Sequence, residues 1–378
     1  MSKGRMGAVA GVLVMACAGH GAAWAQQSSV QLYGLLDSGL LLEKQLDDSR
    51  KFGMASGIAG QSRFGIRGSE DLGNGYSVTF QMEGGLLTTT GTSTQGRLFG
   101  RQATLGIKGG FGELKFGRQT VFGYSWTPFI ASPFGVAWSG NGIGSTFGYK
   151  SGDYGADGRL SNAVTYQTPV VGGLEAGIGY SFSTADEQSF GSSNNNRVLT
   201  AGLRYSNGPL KAALTYERLN PIKDSNNRKA QNLQFGLSYD FGVVRLFSGY
   251  NEQRNINLNP APGYVKTGGD KDRAFTVGAS IPTGKRGTAM LSYQRAMLSN
   301  NGGFAAGYRY QLSKRTNVYA MGNVYSVRNH FIDEKQRKHQ HEPPKIADAI
   351  LERALSHQAI QAGADDENNT GHQCTPHA

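Results

Sequence analysis

Apolar and polar residues alternate along this chain in stretches of about ten, with glycine-rich reversals between them. The clearest case is Arg97 to Thr120, RLFGRQATLGIKGGFGELKFGRQT, where two alternating runs flank the turn Gly109-Gly110-Phe111-Gly112. Successive side chains of a strand point to opposite faces, so each run presents one apolar face and one polar, cationic face. Such a hairpin is built to sit between two different media. Beyond the N-terminal leader no run of 18 apolar residues exists, so no helix of this chain spans a membrane. A transmembrane strand shows only half of its residues to lipid and keeps a low overall hydrophobicity, here 38%.

The N-terminus reads as an export signal. Lys3 and Arg5 give a positive start, Met6 to Ala18 is small and apolar, and Ala23-Trp24-Ala25 fits a cleavage site. Residues 1–25 are therefore expected to be a signal peptide, with the mature chain beginning at Gln26. Cys17 leaves with that signal and Cys374 lies near the far end, so no disulfide can brace the body between them. A closed hydrogen-bonded sheet is the available substitute. Between Gln26 and Asn329 the chain has 31 Lys and Arg against 19 Asp and Glu, a balance of 31 − 19 = +12. The export signal and glycine-rich hairpins argue against nucleic acid as the partner and leave a basic lining for anions.

In chain order the alternation predicts strands over Val30–Leu40, Ser62–Leu72 and Tyr76–Gly84, then two from the Arg97–Thr120 hairpin. A long aromatic and glycine-rich stretch follows, residues 121–158, with Pro128 and Pro133. A loop of that length needs a task, and folding inward to narrow a lumen is one. Strands resume over Arg159–Pro169, Leu174–Phe182, Arg197–Ser206, Leu210–Leu219, Ala230–Asp240, Val243–Gln253, Lys271–Ile281, Gly287–Leu298, Gly303–Leu312 and Thr316–Arg328. That makes fifteen, joined by alternating short turns and long loops. The fold class is all-β, an antiparallel transmembrane β-barrel occupying residues 26–329. Short turns belong on the periplasmic side and long loops outside.

VQLYGLLDSGL, SRFGIRGSEDLGNG and FGRQATLGIKGGFGELKFGRQ resemble the general porins of Gram-negative outer membranes, in the form typical of β-proteobacteria. The resemblance implies a sixteen-stranded barrel, a homotrimer set among outer-membrane lipid and lipopolysaccharide, and passive diffusion of small hydrophilic solutes and anions. It implies that the loop at 121–158 forms the constriction. It assigns Arg63, Arg67, Arg101, Arg118 and Arg159 to the channel lining, with Glu83 on the polar face of the third strand and Asp153 and Asp157 of the loop opposing them. Arg204, Lys211 and Arg309 share the polar face and extend the cationic path. No cofactor or metal is implied; His339, His341 and Cys374 match no standard zinc spacing. Enzyme motifs are missing, and the barrel body has neither histidine nor cysteine to form a nucleophile–base pair. Three alternatives stay open: a substrate-selective channel using Tyr124, Trp126 and Trp138, a non-conducting structural barrel, or an assembly-defective porin variant.

The end of the chain departs from the family. Residues 330–378 hold six of the seven histidines, only Gly363 and Gly371 of the 55 glycines, and an apolar spacing at Ile346, Ile350, Ala354 and Leu355 that predicts a helix before a disordered end. The sixteenth strand and the terminal phenylalanine of the family are both missing. Fifteen strands leave a seam, which part of the tail, another segment or nothing closes. N-terminal sequencing of the mature protein should start at Gln26; a chain still carrying residues 1–25 would make the leader an anchor.

Overall fold

The computed structural model describes residues 29–44, 50–135, 158–183, 197–220, 229–254, 271–297 and 302–326. The chain opens with β1 (Ser29–Leu35) and a small hairpin, β2 (Ser38–Lys44) and β3 (Arg50–Ser56). Next come β4 (Arg63–Gly73), β5 (Tyr76–Gly85), β6 (Gln102–Gly109) and β7 (Gly112–Thr120). Two short helices, α1 (Phe122–Ser125) and α2 (Thr127–Ala131), precede β8 (Arg159–Gln167) and β9 (Leu174–Ser181). The remaining strands are β10 (Val198–Asn207), β11 (Leu210–Leu219), β12 (Ala230–Asp240), β13 (Arg245–Arg254), β14 (Lys271–Thr283), β15 (Gly287–Ala296), β16 (Gly302–Gln311) and β17 (Asn317–Ser326).

All strands except β2 and β3 form one sheet of fifteen, in the order β1-β4-β5 and then consecutively to β17. Every pairing is antiparallel, and the tight reversals all fall at one end. Their residues explain them. Gly73, Asn74 and Gly75 have φ of 81°, 53° and 77°, a left-handed run that glycine and asparagine tolerate. Asp71 Oδ1 accepts the Gly73 amide at 2.8 Å, and Asp240 Oδ1 accepts the Gly242 amide at 2.9 Å.

The two faces of the sheet are inverted relative to a soluble protein. Leu203, Leu214, Phe235, Val277, Leu291 and Phe304 are exposed on one face, while Thr200, Thr215, Glu217, Gln234, Asn251 and Thr276 are buried on the other. Apolar residues outward and polar residues inward is the pattern of a wall between lipid and a polar interior. Tyrosine suits the lipid–water boundary, and Tyr76, Tyr166, Tyr180, Tyr205, Tyr216, Tyr239, Tyr250 and Tyr310, at or near strand ends, fall in outward rows. Tyr33 does not. It sits in the inward row opposite Gly65, and its hydroxyl donates to Glu83 Oε2 at 2.9 Å and accepts from Gln81 Nε2 at 2.7 Å.

The segment from Phe122 to Gly135 folds inward, and α1 and α2 lie against the inner face of β10 to β14. Four inward-row glycines make its bed. A Cβ added to Gly177 would fall 2.6 Å from the Phe122 ring, one on Gly202 2.9 Å from Trp126, one on Gly236 3.0 Å from the Thr127 carbonyl and one on Gly278 2.7 Å from Pro133. Phe122, Trp126 and Ile130 pack with Ala213, and Phe134 packs with Met290 and Ala305. Apolar contact inside this polar interior is thus confined to where the loop meets the wall.

Three boundaries differ from the sequence expectation. The first strand stops at Leu35 rather than Leu40, because Asp37 Oδ2 turns to accept the amides of Ala59 and Gly60 at 2.9 and 2.7 Å. The alternation beyond it belongs to the separate β2–β3 hairpin. Residues 97–101 precede β6 instead of starting it. The expectations for residues 1–25, for Asp153, Asp157 and Trp138, and for the tail at 330–378 lie outside the described residues. A Gly177→Val substitution should dislodge Phe122 and destabilise the fold by roughly 1–3 kcal/mol, read as a lower unfolding temperature on heated gels; unchanged stability would show that the seat is loose.

Candidate functional site

Charged side chains converge where the loop-side ends of β4 and β5 meet the residues before β6 and the start of β8. Among the described residues Glu83 is the only acid at the centre of this group. Arg63 Nε lies 3.6 Å from Glu83 Oε2, and Arg101 Nε donates to Oε1 at 2.6 Å. Arg101 and Arg159 both donate to Gln61 Oε1, Arg159 at 3.4 Å. Two guanidiniums thus share the Glu83 carboxylate, and a third is joined to them through Gln61. Local backbone makes the cluster possible. Gly65 stands between Tyr33 and Glu83, and a Cβ there would fall 2.7 Å from the Tyr33 hydroxyl. Arg159 is 1% exposed and its guanidinium lies 5.5 Å from the centre of the Tyr124 ring, so it also props the inward loop.

The other predicted residues separate. Arg67 is on the same inward row as Arg63, four residues further along β4, about 13 Å away. Its Nε and Nη2 donate to Gln31 Oε1 at 3.0 and 2.8 Å, and it lies over the Tyr33 ring at 5.1 Å. Arg118 leaves the inward row altogether. Its register partner is Ala103, while Gly117 and Gln119 carry the inward positions. Plain alternation puts Arg118 in the row of Leu114 and Phe116, and a bulge on the facing strand, where Ser161 and Asn162 (φ 51°) stand between the partners of Gly117 and Gln119, brings Ser161 to it. Arg118 then donates to the Gly100 carbonyl at 2.7 Å and to Ser161 Oγ at 2.8 Å, tying the segment before β6 to β8.

The inward loop is held by acids that the sequence reading did not select. Glu217 is fully buried on β11, and its Oε1 accepts the Gly123 amide at 2.8 Å and the Thr200 hydroxyl at 3.3 Å. The Phe122 amide donates to Thr200 Oγ1 at 3.0 Å, and Thr127 and Thr215 share a hydroxyl pair at 2.9 Å. Glu175 binds Arg204, whose guanidinium lies 4.8 Å from the Trp126 ring centre. Trp126 and Tyr124, candidates for a solute platform, are therefore engaged in packing. Inward parity was a signal that could have found Glu175 and Glu217; Gln61, in a loop, carried none. Beside α1 a cavity of about 240 Å³ is lined by Gln102, Thr104, Lys115, Gln119 and Arg204 among others, a polar surface suited to water and small polar solutes.

Against known proteins, a sequence model described as Gram-negative porin matches residues 8–330. An outer membrane porin of Bordetella pertussis is 36% identical over 360 residues, covering 81% of this chain and 91% of that protein. Outer membrane porin protein 32 of Delftia acidovorans is 33% identical over 324 residues, covering 82% and 87%. Among solved structures, an anion-selective porin from Comamonas acidovorans superimposes with a TM-score of 0.68 at 28% identity, over 80% of this chain and 90% of that one. The alternation, the fifteen-stranded sheet with its inward loop and these relatives agree: the chain belongs to the Gram-negative porins of the outer membrane.

Proposed function

We propose that this porin is a passive diffusion channel for small hydrophilic solutes with a modest preference for anions, and that Arg63, Arg101 and Arg159 set that preference. The observation that carries the reading is the gathering of guanidiniums at the constriction: Arg63 and Arg101 share the one carboxylate of Glu83, and Arg159 joins them through Gln61. Arg63, the most open of the three, presents its charge to the bore. Arg67, Lys115, Arg204 and Lys211 continue a positive path along inward positions. The anion selectivity of the Comamonas relative is consistent with this. The site acts by field and width. It holds no group placed for covalent work, and solutes pass rather than react.

The preference stays modest for a physical reason. A unit charge acting through water at about 7 Å is worth roughly RT, so each arginine changes local ion concentration only two- to threefold. Salt shortens its reach to about 10 Å at 0.1 M. Bilayers holding the channel in a potassium chloride gradient should give a reversal potential of anion sign. Arg63→Gln should reduce the anion-to-cation permeability ratio about twofold, and Glu83→Gln, which removes the carboxylate that Arg63 and Arg101 share, should raise it. A cation-signed potential for the unaltered channel would refute the reading.

Assembly as a homotrimer is the second part of the proposal. The outward faces of β1, β4 and β5 expose Val30, Leu32 and Phe64, apolar surface that either lipid or a neighbouring subunit can cover. A compact, heat-modifiable band at three times the subunit mass on unheated gels is the expected result; a monomer-sized folded band with full conductance would remove trimerisation and leave the channel reading intact.

A further inference from the structure

We propose that the outward, loop-side rim of β13 and β14 binds the phosphorylated headgroup of an outer-leaflet lipid. This rests on the outer-membrane channel reading above, which places the loop side at the cell exterior. The outward row of β13 runs Tyr250, Glu252, Arg254, and that of β14 runs Phe275, Arg273, Lys271. Their register pairs Tyr250 with Phe275, Glu252 with Arg273 and Arg254 with Lys271. An aromatic level is thus followed, about 7 Å higher, by a charged level. Aromatic rings of barrel proteins sit at the lipid–water boundary, so the next level is the headgroup level. Leu237 and Val277 lie on the same outward face nearer the hydrocarbon, and Phe235 extends the aromatic level to β12.

The charged level has the chemistry of an anion receptor. Glu252 Oε1 accepts from Arg254 Nη2 at 2.6 Å and Nε at 2.7 Å, and lies 3.2 Å from Lys271 Nζ. Glu252 Oε2 accepts from Arg273 Nε at 2.9 Å and from the Tyr250 hydroxyl at 3.4 Å. Three cations around one carboxylate sum to +2. Exposure divides the roles: the Glu252 side chain is 14% exposed, while those of Arg254, Lys271 and Arg273 are 55%, 35% and 44%. A half-buried carboxylate at the hub gathers three more open cations in a fan. One cation would have sufficed to neutralise Glu252. The excess cannot serve the channel, because these side chains are on the lipid side of the wall. Arg218, opposite Gln231 at the level of Arg254, extends the positive level to β11, and Arg295, beside Phe275 on the same outward face, adds a cation at the aromatic level. Phosphate monoesters match this fan: they accept paired hydrogen bonds from guanidinium and carry the complementary charge.

The probe is diphosphorylated lipid A, titrated onto the folded full-length chain in detergent and followed by native mass spectrometry. Dephosphorylated lipid A and inorganic phosphate serve as comparisons. Each basic residue at a membrane surface is worth about fivefold in affinity. The combined substitutions R254Q and R273Q should therefore weaken lipid A binding about 25-fold, while single-channel conductance and reversal potential stay unchanged. K271Q alone should weaken it about fivefold, which keeps the test available if the double variant does not fold. Equal binding of phosphorylated and dephosphorylated lipid A, or full affinity in K271Q, would overturn the proposal. Inorganic phosphate binding as tightly as lipid A would assign the fan to a free anion and overturn the lipid assignment. An unaltered chain that conducts but shows no lipid discrimination defeats this inference alone; a folded chain that does not conduct defeats the channel reading beneath it.

Discussion

A backbone amide in hydrocarbon has no water to bond, so every crossing segment must find its partners in neighbouring strands. That demand explains the consecutive order of the sheet from β4 to β17 and the tight turns at one end. It also makes the two edges the sensitive point. Among the described residues β1 is paired only with β4, and β17 only with β16. The sheet nevertheless curls far enough to bring its ends together. Tyr319, on the inward row of β17, donates its hydroxyl to Asp37, just past the end of β1. Asp37 is fixed from its other oxygen by the Ala59 and Gly60 amides, so this contact ties the last strand to the anchor of the first long loop.

Curling creates an interior, and the interior needs a divider. The wall supplies one by subtraction. Gly177, Gly202, Gly236 and Gly278 remove side chains from the inward rows where Phe122, Trp126, Thr127 and Pro133 must lie. Glu217 and Thr200 then fix the start of α1 through its backbone amides. A loop seated on glycines and bound by a buried carboxylate sits on the wall of β10 to β14, and the arginine cluster stands at β4, β5 and β8. The fixed charges and the obstruction are therefore carried by different parts of one wall.

Much of this was legible from alternation, because side-chain parity is local and a fifteen-strand reading needs no knowledge of distant contacts. Where resemblance was set above parity, the reading failed. Arg118 was assigned to the lining by resemblance, although Leu114 and Phe116 on its strand share its parity and mark that row as outward. The first strand was read too long because SGLLLEK in β2 alternates just as a spanning strand does, yet pairs only with β3. Tyr33, by contrast, is legible as inward-facing, because Val30 and Leu32 on its strand fix the opposite face as outward. Gln61 could not be found at all: its importance lies in reaching Arg101 and Arg159, which are distant in sequence.

The two basic regions of the chain show how position decides what a charge does. Around Glu83 and around Glu252 several cations gather on one acid, Arg63 and Arg101 on the first and Arg254, Lys271 and Arg273 on the second. At Glu83 the group faces the interior, where Arg101 and Arg159 are buried and donate to Gln61, so it shapes the field that solutes cross. At Glu252 the group faces outward above Tyr250 and Phe275, and its cations stay exposed around a sheltered carboxylate. The first arrangement fixes charge in place for passing ions. The second holds it open at the level where lipid headgroups begin. Total charge cannot distinguish them, since both contribute to the same +12 of the barrel body between Gln26 and Asn329. What separates the channel lining from the lipid-facing rim is one residue of strand parity, and parity is the property the alternation of this sequence encodes.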